Sequence, residues 1–319
     1  MEDAHPKYED AAVIYNPYAG RLSRRAHLLQ RTIEQLEQQG VKSRLLPTTG
    51  PNTAAGLAQE EISKGAGLVI AAGGDGTINE VANGMVGSNV PLAILPGGTA
   101  NVLAHEIRMK ASILTTADSL RALVPCRIAL GRLRGPGYDR CFLAMAGAGL
   151  DAQIVYDLNL DLKAAMGKLA YYVSGFSHVF QTIPQFNVEI EGKTRRCGFA
   201  LVSRVRNYGG DLEIARGASL LRDDFEVVLF EGEKAFGYLR YLAAVALGRA
   251  DKLKGVTVLR AKKVVCDCAS DNRIQSQIDG ELVCRLPIAI EIVPDALTLL
   301  VPRQFWEREQ RLHQMAVHV

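Results

Sequence analysis

Residues 73–77 read Gly-Gly-Asp-Gly-Thr. Backbone without side chains can come close to an anion, and a helix start adds free N–H groups and a positive partial charge. A lone carboxylate there, Asp75, either repels an anionic ligand or holds a cation that bridges to it. The second option is the chemistry of Mg²⁺ and a nucleotide. Two further loops lie at strand ends and converge with residues 73–77: the tight turn Asn16-Pro17-Tyr18-Ala19-Gly20 and the glycine-rich Pro96 to Asn101. Neither the dinucleotide fingerprint nor the Walker phosphate loop occurs in any of them, which weakens hydride transfer and the common NTPase folds.

Each acidic candidate also has a plainer reading. Thr77 and Glu80 spell a T-x-x-E capping box. Asp279-Gly280, inside "IDGEL", suits a two-residue type I′ hairpin. Asp151 follows a glycine pair as a turn residue would, and Asp223-Asp224 reads as a solvated turn.

The elements around these residues say which loops can meet. The run Leu68 to Ala72 is apolar without alternation, as in a strand buried on both faces of a parallel sheet. Ile78, Val81, Ala82 and Met85 follow at helical spacing. Upstream, "AAVIY" is a strand, Arg24 to Gln39 a helix, "VKSRLL" a strand and Thr53 to Ser63 a helix. Downstream, "PLAIL" is a strand, a helix begins at Val102, and another spans Ser112 to Leu123. This βαβα alternation means a doubly wound parallel sheet, whose ligands bind at the carboxyl ends of the strands.

Near Pro125 the rhythm changes. "RIALGRL" and "RCFLAMAGA" form a hairpin, followed by strands in "FNVEIEG", "CGFALVSRV", "FEVVLFEG", "GVTVLRAKKVVCDC", "RIQSQIDGELV" and "IAIEIVP". A sheet-rich second domain is expected. Helices are expected at 161–181, over "KAFGYLRYLAAVALG" and over "WEREQRLHQMAV". The apolar stripe of 161–181 reads as core packing or as the flank of a lipid entrance.

The 319 residues suggest two domains, and 48% hydrophobic with 22% charged residues is ordinary for a globular protein with a real core. A net charge of +3 suits anionic ligands or an anionic membrane surface and is too weak to argue for nucleic acid. The six cysteines form no CxxC pair, as expected of reduced thiols in a cytosolic chain. The polar start "MEDAHPKYED" is unlike a signal peptide, and no stretch is long and apolar enough to span a bilayer.

"NPYAG", "GGDGTINEVANG", "LPGGTANVLAHE", "AGAGLDAQIV", "NYGGDLEIARGASLLRDDFEVV" and "IDGELV", in that order, resemble the diacylglycerol kinase catalytic domain family. The likeness is to the bacterial soluble lipid kinases related to sphingosine and ceramide kinases, and it covers about residues 11–302. It implies ATP-dependent phosphoryl transfer to a lipid hydroxyl, in a cleft between an α/β and a β-rich domain. By that resemblance, Gly73, Gly74, Gly76 and Thr77 hold phosphates with Asn16, Pro17, Thr99 and Asn101. Asp75 holds the nucleotide's Mg²⁺, and Asp151 lies near the same metal or the acceptor hydroxyl. Asp279 is the general base with Glu281 beside it, and Asp223 and Asp224 hold a second, structural Mg²⁺. The chain departs from the family at Val102, Asp211 and Arg216, so the acceptor's identity is not inherited.

The expectation is therefore an α/β plus β protein of the NAD-kinase/diacylglycerol-kinase-like plan. Residues 11–125 form a doubly wound parallel-sheet nucleotide domain and 126–302 a β-rich, sandwich-like acceptor domain. A C-terminal helix, 303–319, packs back on the first domain. The activity expected is a lipid kinase using Mg²⁺ and ATP on diacylglycerol, a sphingoid base or a related alcohol. It is expected in the cytoplasm with peripheral membrane contact and no nucleic-acid partner, a homodimer being left open. The alternatives are an NAD kinase, which shares "GGDGT", and a lipid- or nucleotide-binding homologue with little turnover.

Overall fold

A computed structural model describes residues 8–19, 27–109, 119–150, 183–208, 212–233, 254–268 and 274–317. The described chain divides into two compact units, residues 1–130 with 294–319, and residues 131–293.

In the first unit, strands β1 (Asp10–Tyr15), β2 (Lys42–Pro47), β3 (Leu68–Gly73) and β4 (Leu92–Pro96) alternate with helices α1 (His27–Gln38), α2 (Ala54–Ser63) and α3 (Asp75–Gly84). The short helix α4 (Val102–Glu106) follows β4. The strands are parallel in the order β2-β1-β3-β4. The chain thus leaves β1 on one side for β2 and comes back on the other for β3, which makes the ends of β1 and β3 a topological switch point. All six residues of β3 are buried, as its unbroken apolar run requires. Leu29, Ile33 and Leu36 of α1 pack with Val13, Ile70 and Leu95. Asp10, Arg44 and Glu61 add a polar tie, with Arg44 donating to both carboxylates.

Two long strands run through both units, β5 (Leu123–Gly135) and β18 (Ile288–Pro302). Within the first unit Leu299 of β18 registers beside Leu92 of β4 in parallel. Arg127 of β5 donates to the Ser88 carbonyl, the Thr298 hydroxyl and both the carboxylate and carbonyl of Asp295. Helix α5 (Arg303–Val317) ends the described chain and buries Phe305.

The second unit is built of strands β6 (Tyr138–Phe142), β7 (Met145–Gly149), β8 (Phe186–Ile190), β9 (Lys193–Cys197), β10 (Phe199–Ser203), β11 (Asn207–Tyr208), β12 (Leu212–Glu213) and β13 (Phe225–Phe230). It continues with β14 (Val256–Ala261), β15 (Lys263–Asp267), β16 (Gln275–Ile278) and β17 (Glu281–Arg285). One sheet is antiparallel in the order β14-β13-β10-β7-β16-β17. β9, β8, β15 and the first half of β18 form a second sheet, antiparallel at each pairing. Phe186, Val188 and Cys266 of the second sheet share one core with Val202, Phe225 and Val227 of the first, which is the packing of a β-sandwich. Phe142 stacks on Phe225 at 5.9 Å between ring centroids.

Three local expectations are corrected. The hairpin arm "RCFLAMAGA" is two strands, since the chain bends at 143–144 and passes from the β5–β6 hairpin into the other sheet. The helix expected to reach Leu123 is, in its described part, a single 3₁₀ turn at Leu120–Ala122, and Leu123 already begins β5. Strand β9 was not expected at all, because Lys193-Thr194-Arg195-Arg196 carries no apolar alternation. The expected helices at 161–181 and 234–248 lie outside the described residues.

Candidate functional site

The ends of β1, β3 and β4 place the three loops side by side, and backbone contacts lock them in sequence. The Asn16 amide donates to the Ala72 carbonyl at 3.2 Å, and the Gly97 amide to the Gly73 carbonyl at 2.8 Å. Gly74 and Gly98 then meet backbone to backbone: a Cβ on Gly98 would fall 2.6 Å from the Gly74 Cα. No side chain fits there, so this glycine pair is a requirement of close approach.

Within the loops, Asn16 Oδ1 accepts from the Tyr18 amide at 2.9 Å and shapes the 16–19 turn. Asn101 adopts a left-handed conformation, φ 49°. Its Oδ1 accepts from the Gly98 amide and its Nδ2 donates to the Gly98 carbonyl, both at 2.9 Å. The Asn101 side chain thus closes its own loop, while Thr99 stands exposed at the tip.

Asp75 opens α3, with Gly74 as the cap residue. Its Oδ1 faces the first turn of α4, where the Leu103 amide lies at 3.4 Å. Burial pushes the Asp75 carboxyl above its ordinary range, and the amides of residues 101–103 pull in the opposite direction without cancelling it. The capping-box reading of Thr77 is overturned. Thr77 lies inside the helix, buried against Gly73. Glu80 instead accepts from the Ala54 amide at 3.2 Å, capping the neighbouring α2. Pro17, Gly76 and the loop backbone complete this end of the sheet.

The donor set at Asp75 fits Mg²⁺. Among the described residues no cluster of three or more acidic, His or Cys side chains could hold a metal. Magnesium, however, is commonly held by one carboxylate together with substrate phosphates and water.

In the second unit, Asp279 and Gly280 join β16 to β17 with φ of 46° and 84°, the pair of positive values a type I′ turn needs. The hairpin reading is therefore correct, and the Asp279 side chain does more. Oδ1 accepts from the amides of Ala144 and Met145, both at 2.9 Å, and Oδ2 from that of Leu143 at 3.0 Å. The carboxylate clasps the bend where the chain changes sheets. Glu281 is exposed at the start of β17. Asp151 lies outside the described residues.

Of the expected second metal pair, Asp223 and Asp224, the second is already committed to cations of the chain. Asp224 is paired with both Arg222 and Arg260, each guanidinium reaching both carboxylate oxygens at 3.0–3.2 Å. Burial alone would raise its carboxyl, yet the Arg260 and Arg222 guanidiniums outweigh burial and hold it below its ordinary value. Asp223 is exposed. Two features here carried no mark in the sequence: the amide nest around Asp279, and a fully buried Arg204 beneath the 215–224 loop.

Comparison with known proteins gives two domain matches. Residues 10–133 match the model of the diacylglycerol kinase catalytic domain. Residues 144–301 match the YegS C-terminal NAD kinase beta sandwich-like domain. A diacylglycerol kinase of Bacillus subtilis is 29% identical over 283 residues, 87% of this chain and 91% of its own. One from Staphylococcus haemolyticus is 26% identical over 315 residues, 94% of this chain and 90% of its own. Two solved structures from Bacillus anthracis str. Sterne, each 21% identical, align with TM-scores of 0.78 and 0.70. They cover 96% and 94% of this chain and 99% of each of theirs, and the second is described as a diacylglycerol kinase.

Proposed function

Because the chain belongs to the diacylglycerol kinase catalytic domain family and is a lipid kinase, we propose that it transfers the γ-phosphoryl group of ATP to the hydroxyl of a lipid alcohol. Diacylglycerol is the first candidate, by likeness to the named relatives. A sphingoid base or a related alcohol is the next. The observation that carries this reading is the glycine-lined junction of three loops at a switch point, with one enclosed carboxylate at its centre.

Phosphoryl transfer asks the protein mainly for positioning and charge stabilisation. In this reading the amides of Gly73, Gly74 and Gly76, with Thr77, Thr99 and the 16–17 turn, bind and orient the phosphates. Asn101 holds its loop in shape for them. Asp75 would hold Mg²⁺, which when bound neutralises phosphate charge. Asp279 is assigned to the acceptor hydroxyl with Glu281 beside it and Asp151 near it. The tight hold on Asp279 supports a carboxylate kept in one position. The first domain, 11–125, is assigned to the nucleotide and 126–302 to the lipid. Peripheral contact with a membrane follows from the substrate.

The test is γ-labelled ATP transfer into a lipid panel containing diacylglycerols, sphingoid bases and monoacylglycerols, with Asp75→Ala as control. A labelled lipid made only by the wild type supports the reading and names its acceptor. Label entering NAD and no lipid would replace it with an NAD kinase. ATP binding without transfer to any acceptor would leave a binding homologue.

A further inference from the structure

The 215–224 loop is folded around a positive charge the chain itself supplies. Arg204, at the end of β10, has no exposed surface. Its Nη2 donates to the Leu220 carbonyl at 2.7 Å, and its Nη1 to the carbonyls of Arg222 at 2.7 Å and Asp224 at 3.3 Å. Three main-chain oxygens from alternate residues thus converge on one guanidinium. Such a convergence of carbonyls, with carboxylates adjoining, is the donor set that also binds a hard divalent cation.

The side chains around it are committed in the same sense. Asp224 is neutralised by Arg222 and Arg260. Arg260 also donates from both terminal nitrogens to the Gly217 carbonyl, and Arg206 donates to that of Arg216. A divalent ion sharing the carbonyls of 220, 222 and 224 would sit against a buried guanidinium. Like charges in such a setting repel strongly.

We propose that Arg204 is the resident cation of the 215–224 loop and that Asp223 and Asp224 bind no divalent metal. The 215–224 loop then needs no metal to fold, and the Mg²⁺ of the proposed reaction is left to the loops around Asp75. The inference stands on the geometry of the second unit alone, whatever substrate the first unit serves.

The experiment uses the full, nucleotide-free chain. Mn²⁺ is titrated and followed by electron paramagnetic resonance in Asp75→Asn, and thermal melting of the same variant is recorded in EDTA and in millimolar MgCl₂. The expected result is no Mn²⁺ bound by Asp75→Asn and superimposable melting curves. Mn²⁺ bound by Asp75→Asn and lost on adding Asp223→Asn would overturn the proposal. So would a melting temperature that falls in EDTA. Arg204→Lys supplies the second measurement. An ammonium lacks the planar fork that reaches three carbonyls. This variant should melt lower by at least about 5 °C, be cut faster by protease within 215–224, and gain nothing from Mg²⁺. Unchanged melting, or rescue by Mg²⁺, would refute the role given to the guanidinium. If Arg204→Lys does not fold, the Mn²⁺ and EDTA measurements still decide.

Discussion

Asp279 Oδ2 accepts the Leu143 amide at 3.0 Å, across 136 residues of sequence. With the Ala144 and Met145 amides on Oδ1, one carboxylate ties a hairpin turn to the bend between two sheets. Asp279→Asn cannot preserve this, because one end of an amide side chain is a donor and would face a donor. The variant should lose about 1–3 kcal/mol of stability. Its turnover should fall at least ~100-fold, measured well below its melting temperature so that fold and chemistry are separated. Wild-type stability would remove the structural role, and wild-type turnover the chemical one.

Gly98→Ala puts a methyl group 2.6 Å from the Gly74 Cα, with no flexible side chain to yield. The loops must part, at roughly 1–3 kcal/mol, and calorimetry should record at least tenfold weaker ATP binding. Gly50→Ala is the control, since nothing lies within 4 Å of its added Cβ. It should bind ATP as the wild type does.

Asp75→Asn should separate stability from activity in the opposite sense. Burial raises the Asp75 carboxyl in the folded chain, so its charged form is disfavoured there relative to the unfolded chain. The neutral amide should melt no lower than wild type while phosphoryl transfer drops by a factor of about 100 or more. A clear loss of melting temperature would contradict this balance.

Glu61 offers a test on the acid side. Lys64 and then Arg44 hold its carboxyl below the ordinary 4.5. A depressed folded value means that the stabilisation is fully present above the unfolded value, near 4.5, and disappears as pH falls through the lower folded one. Glu61→Gln should flatten the loss of stability below pH ~4.5 in urea titrations. An unchanged slope would show that the pair contributes nothing measurable.

Most of the first unit was legible because its signals are local. The unbroken apolar run of 68–72, the glycines beyond it and the helical spacing from Ile78 belong to consecutive residues. What escaped reading depends on partners distant in the chain. Glu80 caps a helix 26 residues earlier rather than its own. Asp279 reads correctly as a turn, but the amides it holds precede it by well over a hundred residues. The bend at 143–144 hides in a run of small apolar residues equally suited to either sheet. β9 hides because an edge strand needs no buried face and is protected by charge. Asp223 and Asp224 match metal ligands by the family resemblance alone; what the sequence does not show is that Asp224 pairs with Arg260, 36 residues further on, as well as with its neighbour Arg222.

The passage of β5 and β18 through both units has a consequence for the order of synthesis. The chain leaves the first unit after residue 130 and returns to it only at 294. A growing polypeptide therefore exposes the whole second unit before the strand that flanks β4 has been made. Until then the edge of β4 that Leu299 will cover is a bare template for mispairing, next to the loop that carries Gly98. The half of the molecule that starts first is finished last.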